Sequence, residues 1–315
     1  MLRCTILFES GNMPEAKTLE RVTIEAIPAL RQVSAVQKAP QGHWVGDGFP
    51  VRTIFSYDNA APVSPFLLMD YAGPYQFTAA EQRRGVGEHP HRGFETVTIV
   101  YSGEVDHRDS GGGGGRIGPG DVQWMTAGSG LVHEEMHSWD YTRHGGPFEA
   151  IQLWVNLPKR LKMTPPRYQT LLAADIPHIE LPDGAGSARV IAGEFNGARG
   201  PAQTFTPVAL IEFHLNAGHG TIVPVPTGHN ALLFVLRGNV KVNGRIEAKP
   251  AEFVQFGDSG EAFQIDADSD AVLMVLSGEP IREPVFGYGP FVMNTEDEIR
   301  TAISDYRSGK MGHLR

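Results

Sequence analysis

Cysteine is almost missing from this chain: Cys4 is the only one in 315 residues. A lone thiol excludes an internal disulfide framework and a cysteine-rich structural zinc site. Long apolar runs are missing as well. None approaches the ~20 residues that a membrane-spanning helix needs, so no membrane partner is expected. The N-terminus has no basic stretch leading into a long apolar one. No secretory signal is therefore expected, and a cytoplasmic location is. Positive charge is in deficit, with 27 Lys and Arg against 36 Asp and Glu and a formal net charge of −9. Without a dense basic cluster, direct nucleic-acid binding is not expected.

Glycine and proline are abundant, at 37 and 23 residues. They recur between short β-prone runs, which argues for an all-β fold of barrels or sandwiches. Thr96-Val-Thr-Ile-Val-Tyr101 and Val122-Gln-Trp-Met125 read as strands, and Gly118-Pro-Gly-Asp121 as the turn before the second. Asn243-Gly244 predicts a tight hairpin. At the C-terminus, Thr295 and Glu298 form a capping box. Ile299, Ala302, Ile303 and Tyr306 then recur at helical spacing, and Gly309 can end the helix.

The residues that carry chemistry are His89-Pro-His91 and, after the loop Thr126–Gly130, His133-Glu-Glu135. On a strand, residues i and i+2 point to one face. One strand can aim His89 and His91, and a second His133 and Glu135, at a common point. Three imidazoles and a carboxylate suit a divalent transition metal. A chain with 12 His will hold some close pairs by chance, but here the order is ligand pair, strand, hairpin, strand, turn, ligand pair. A small β-barrel would carry a metal on its inner wall in that way. Glu95 shares the parity of His89 and His91 if their strand runs unbroken. Glu134 has the opposite parity and should face outward. His107, His137 and His144 read as surface histidines or as partners behind the ligands. Gly111–Gly115 lacks the Gly-Lys-Ser/Thr ending of a phosphate loop and reads as a flexible hairpin loop.

His89-Pro-His-Arg-Gly-Phe-Glu-Thr96, Gly118-Pro-Gly-Asp-Val-Gln-Trp-Met-Thr-Ala-Gly128 with His133-x-Glu135, and Tyr288-Gly-Pro-Phe-Val-Met-Asn-Thr295 together resemble the pirins, members of the cupin superfamily. The likeness spans roughly residues 36–311. It implies a bicupin: two small antiparallel, jelly-roll-like β-barrels in tandem with a C-terminal helix. The expected division is an N-terminal extension over 1–35, a metal-binding barrel over 36–165, a second barrel over 166–290, and the helix and tail over 291–315. The extension is expected to be peripheral or partly disordered, so that a chain cut near Arg31 still folds. Matching Gly103 with Gly238 lays His89-Pro-His91 on Pro224-Val-Pro226, so the second barrel has the scaffold without the ligands. His214, His219 and His229 lack the paired spacing.

The resemblance, with strand parity, favours Glu135 over Glu95 as the fourth ligand of His89, His91 and His133. Glu95 is then an acid of the pocket wall or a partner that orients a ligand. Pirins are similar to quercetin 2,3-dioxygenases. The resemblance thus implies one metal per chain, iron first, with manganese, nickel, copper or zinc as alternatives. It implies a flavonol substrate, a small aromatic molecule opened by dioxygen, with Glu135 as general base. The competing reading is a non-enzymatic, metal- or redox-dependent regulator acting through protein partners.

Overall fold

The structure is a computed structural model that describes residues 28–59 and 63–314. The expectations for residues 1–27, Cys4 included, lie outside the described residues. The fold is two antiparallel barrels, each a seven-stranded sheet closed by a four-stranded one. In the first barrel the large sheet runs in the order Arg167–Leu171, Val122–Thr126, Phe94–Ser102, Gly146–Asn156, Phe66–Phe77, Phe49–Phe55, His43–Val45. Its small sheet runs Gly85–His91, Leu131–His137, Val105–Asp109, Gly114–Ile117.

The second barrel repeats this order. Its large sheet is Val33–Lys38, Glu252–Phe256, Asn230–Arg237, Ala271–Gly278, Val208–Leu215, Gly186–Ala192, His178–Glu180. Its small sheet is Gly220–Pro224, Ala262–Ala267, Val240–Val242, Ile246–Ala248. The hairpin between the last two turns at Asn243 and Gly244, with φ of 53° and 65°, as the Asn-Gly pair predicts. The strands that match the two ligand strands bury Val223, Phe263 and Ile265 inside this barrel. Apolar side chains fill the space that His89, His91 and His133 occupy in the first barrel.

The strand Asn230–Arg237 shows why the barrels hold together. Ala231, Leu233 and Val235 face the interior of the second barrel. Leu232, Phe234 and Leu236 face the other way, into a core shared with Tyr71, Val97, Trp124 and Ile151 of the first. Alternate residues of a strand serve opposite faces, so a strand covered on both sides is apolar throughout. Tyr71 meets Phe234 edge-on at 5.1 Å, and Phe55 meets Phe253 at 5.5 Å. The two large sheets thus pack against each other.

Two expected boundaries are corrected. Residues 28–35 are not a peripheral extension, and 36 does not open the first barrel. Val33–Lys38 is the edge strand of the second barrel, paired with Glu252–Phe256, and Leu30 bridges Ala262. The first barrel also runs past 165, because Arg167–Leu171 pairs with Val122–Thr126. The physical reason is one of supply. Each large sheet needs an edge strand beside its Val122- or Glu252-type strand. The first barrel takes it from the chain that follows. After the second barrel the chain instead crosses to the first, so the second takes its edge from the N-terminal side.

That crossing segment forms the hairpin Phe286–Tyr288 with Phe291–Met293, and Val292 N donates to Arg92 O at 3.1 Å. The helix α2, Glu296–Arg307, follows, with Thr295 Oγ1 accepting from Glu298 N at 3.2 Å. The Glu298 side chain reaches back to Asn294 N at 3.0 Å. Ile299 and Ala302 pack with Phe291, Met293 and Val132, so the helix backs onto the strand that carries His133. Thr295→Ala should therefore cost about 1 kcal/mol of stability in urea unfolding, with metal affinity unchanged. A second helix, α1 at Trp139–His144, was not expected. Its six residues are too few to show a periodicity, and Ser138 caps it. No helix among the described residues is long and apolar enough to cross a membrane.

Candidate metal centre

Three strands of the small sheet carry the site. His89 lies opposite His133, Glu135 opposite His107, and His133 opposite Asp109 on its other flank. Strand parity gives these residues and His91 one face, towards the barrel interior. Glu134, on the other face, pairs with Arg108 at 2.6 Å. His133 is fully buried, His91 and Glu135 nearly so, and His89 is half-buried. The rings of His89 and His133 lie 4.2 Å apart between centroids, and His91 lies 4.8 Å from each.

Two triads of potential ligand atoms each fall within 4.8 Å: His89 with His91 and His133, and His107 with His133 and Glu135. His133 belongs to both. Each flanking imidazole is oriented by a carbonyl. His89 Nδ1 lies 2.8 Å from Gly87 O, and His91 Nδ1 lies 3.3 Å from Pro290 O. A carbonyl only accepts, so each Nδ1 carries the hydrogen and a neutral ring leaves Nε2 bare. Burial, and then the neighbouring imidazoles, hold His91 and His133 well below the usual histidine range, so both are neutral at pH 7. The Nε2 of His133 is buried and has no hydrogen-bond partner among the described residues. This donor set fits a divalent metal.

Side chains from the large sheet surround Glu135. Thr98 Oγ1 and Gln123 Nε2 lie 3.0 and 3.3 Å from Oε1, and Gln152 Nε2 lies 3.4 Å from Oε2. Glu95 is placed elsewhere. It is buried on the large sheet, where Thr126 Oγ1 donates to it at 2.7 Å, and it joins neither triad. The strand assumed to continue from His91 to Glu95 breaks at Gly93, with φ of 92°. Burial pushes the Glu95 carboxyl up to about 7, against the Thr126 hydroxyl.

Of the other histidines, His144 is on the surface and His137 is not. His137 Nε2 meets Gly48 O at 3.0 Å among Phe49, Phe77 and Phe148, and burial lowers it to about 4. His107 is buried behind His133. The sequence held the signal for it, since His107-x-Asp109 has the same i, i+2 spacing as the ligand pairs. His214, His219 and His229 form no triad with other donors among the described residues. A cleft of about 1160 Å³ runs elsewhere, between the barrels, along Tyr57, Asn156, Asn230 and Glu283, and none of the candidate donors lines it.

A family model described as Pirin matches residues 48–155, which include all four predicted ligands. A second, described as the Pirin C-terminal cupin domain, matches 210–312. A Pseudomonas aeruginosa protein that bears the name putative quercetin 2,3-dioxygenase is 53% identical over 282 residues, covering 89% of this chain and 98% of its own. Human pirin is 37% identical over 276 residues, covering 86% of this chain and 90% of its own. A crystal structure of a quercetin 2,3-dioxygenase from Acinetobacter baumannii is 49% identical and superposes with a TM-score of 0.88, covering 91% of this chain and all of the other.

Proposed function

The chain belongs to the pirin family, and we propose that it is a metal-dependent dioxygenase that opens the ring of a flavonol such as quercetin. His89, His91, His133 and Glu135 hold one divalent transition metal in this reading. Iron is the first choice, and manganese, nickel, copper and zinc accept the same donors. The observation that carries it is the Nε2 of His133. A buried polar atom without a partner costs about 1–3 kcal/mol, and His133 stands in a triad with His89 and His91 whose potential ligand atoms all lie within 4.8 Å of one another. The two relatives named for quercetin cleavage supply the reaction class.

When bound, the metal would supply Lewis acidity towards a flavonol 3-hydroxyl and redox chemistry towards dioxygen. The chain's own residues do the rest. Glu135 accepts the 3-hydroxyl proton as general base, with Thr98, Gln123 and Gln152 fixing its carboxylate. Trp154 stacks on Phe94 at 4.2 Å and meets His91 edge-on, offering an aromatic surface to a flat substrate. Both atoms of dioxygen enter the product, and one ring carbon leaves as carbon monoxide. One observation favours the alternative, a cytoplasmic regulator that works through protein partners: His91, His133 and Glu135 are almost wholly enclosed, which leaves His89 as the edge open to solvent.

The test is a turnover assay on protein stripped with a chelator and reloaded with each metal in turn. Loaded protein should bleach flavonol absorbance under air, take up one dioxygen and release one carbon monoxide per flavonol. Stripped protein should do neither. If no loaded form consumes oxygen or flavonol, the dioxygenase reading fails, and isolation of protein partners from native cytosol becomes the next step.

A further inference from the structure

His107 and Asp109 carry buried polar side chains on the small sheet that the metal ligand set leaves unused. His107 Nε2 lies 3.2 Å from Asp109 Oδ2, and His107 Nδ1 lies 3.3 Å from His133 Nδ1. Asp109 is fixed in turn by the glycine loop, with Gly111 N and Gly113 N donating to its Oδ1 at 2.8 and 2.9 Å. A Cβ on Gly113 would stand 2.4 Å from Asp109 Oδ2 and 2.6 Å from Tyr168 Cβ, so the loop can close on the carboxylate only with glycine there. Tyr168 stacks on the His107 ring at 4.8 Å and 16°, and its hydroxyl reaches Gln123, the neighbour of Glu135.

The proton positions follow from what each atom can do. A carboxylate that accepts two backbone N–H groups is an acceptor, so His107 carries its hydrogen on Nε2. Its Nδ1 is then bare and accepts. Its hydrogen-bond partner among the described residues is His133 Nδ1, which must therefore carry a hydrogen and donate. A neutral His133 with hydrogen on Nδ1 has a bare Nε2, the atom that has no partner among the described residues.

We propose that Asp109, His107 and His133 form a hydrogen-bonded relay in which His107 and Asp109 are positioning residues: they lock His133 in the Nδ1–H form, aim its Nε2 lone pair at the metal and strengthen it as a donor. The inference deepens the metal reading above and rests on it for the metal alone. The tautomer stands on the metal-free protein. Carbonyls do this work for His89 and His91, whereas His133 has a chain ending on a full charge. Outer partners of this kind typically change metal affinity by about 10–100-fold.

The experiment uses the full chain with 15N-labelled histidine, metal-free, and long-range 1H–15N correlation to read the His133 tautomer. Nickel(II) affinity is then measured by chelator competition. Wild type should show His133 as Nδ1–H. In Asp109→Asn the side-chain amide can donate to His107 Nε2, which moves the His107 hydrogen to Nδ1 and drives His133 to Nε2–H. Nickel(II) binding should weaken by about 10–100-fold, with the melting temperature of the metal-free protein little changed. His107→Gln, whose carbonyl still accepts from His133 Nδ1–H, should bind nickel(II) more tightly than His107→Leu. That order tests the relay even if Asp109→Asn does not fold. His133 found as Nε2–H in wild type, or nickel(II) affinity indifferent to all three variants, overturns the relay. Failure of wild type to bind nickel(II) with His133 as Nδ1–H would instead count against the metal assignment and support the relay.

Discussion

His133→Ala should lose metal and flavonol turnover together, while His229→Ala keeps both. His133 belongs to both donor triads, and its Nε2 has no other use in the fold. Its loss should exceed the ~100-fold penalty of removing an outer partner. His229 lies in the second barrel, beside Ser277, and belongs to neither triad. Stability gives a second readout. Metal at a hundred times its dissociation constant adds about 2.7 kcal/mol to wild type, and the increment should vanish in His133→Ala. Glu135→Gln separates the two roles of the carboxylate, since it keeps the shape and removes the charge. Metal retained with turnover lost supports the general base, whereas metal lost supports ligation alone. Two tightly held metals per wild-type chain would contradict the single-site reading.

The i, i+2 pairs were legible because a strand has a period of two and a ligand pair must share a face. Glu95 would share that face only on an unbroken strand, and Gly93, with its positive φ, ends the strand before it. His107 and Asp109 obeyed the rule too. One histidine near one aspartate is common, and only the fold shows that their strand flanks that of His133. The repeat was legible through Gly103 and Gly238, and the strand orders of the two barrels agree with it. What the second barrel packs on was not legible. Ala231–Leu236 says that both faces of its strand are covered but does not name the cover. The strand at Val33–Lys38 gave no local sign that its partner lies more than two hundred residues away, because edge pairing is decided by which side of a sheet is left open.

That strand carries the second large effect. Arg31 is buried and donates to the carbonyls of Pro226, His229, Gly257 and Gly260, from two loops of the second barrel. Its backbone N donates to Ala262 O at 2.7 Å, and its carbonyl accepts from Asn243 Nδ2 at 2.7 Å. Arg31→Ala removes the shared donor and should cost about 3 kcal/mol, or roughly 5 °C in melting temperature. Arg31→Lys should recover only part, since one ammonium cannot reproduce the fork of a guanidinium. A chain starting at residue 28 keeps Arg31 and the strand. One starting at residue 39 loses Arg31 and the whole strand, and it exposes the unpaired edge of Glu252–Phe256 to aggregation. The candidate metal site is in the other barrel, so its fate reports on coupling. Because Tyr71 and Phe234 share one core with the residues around them, metal release and loss of the second barrel's structure should coincide in one urea transition for Arg31→Ala. If the second barrel melts while the first keeps its metal, the face between the large sheets does not bind the two into one cooperative unit.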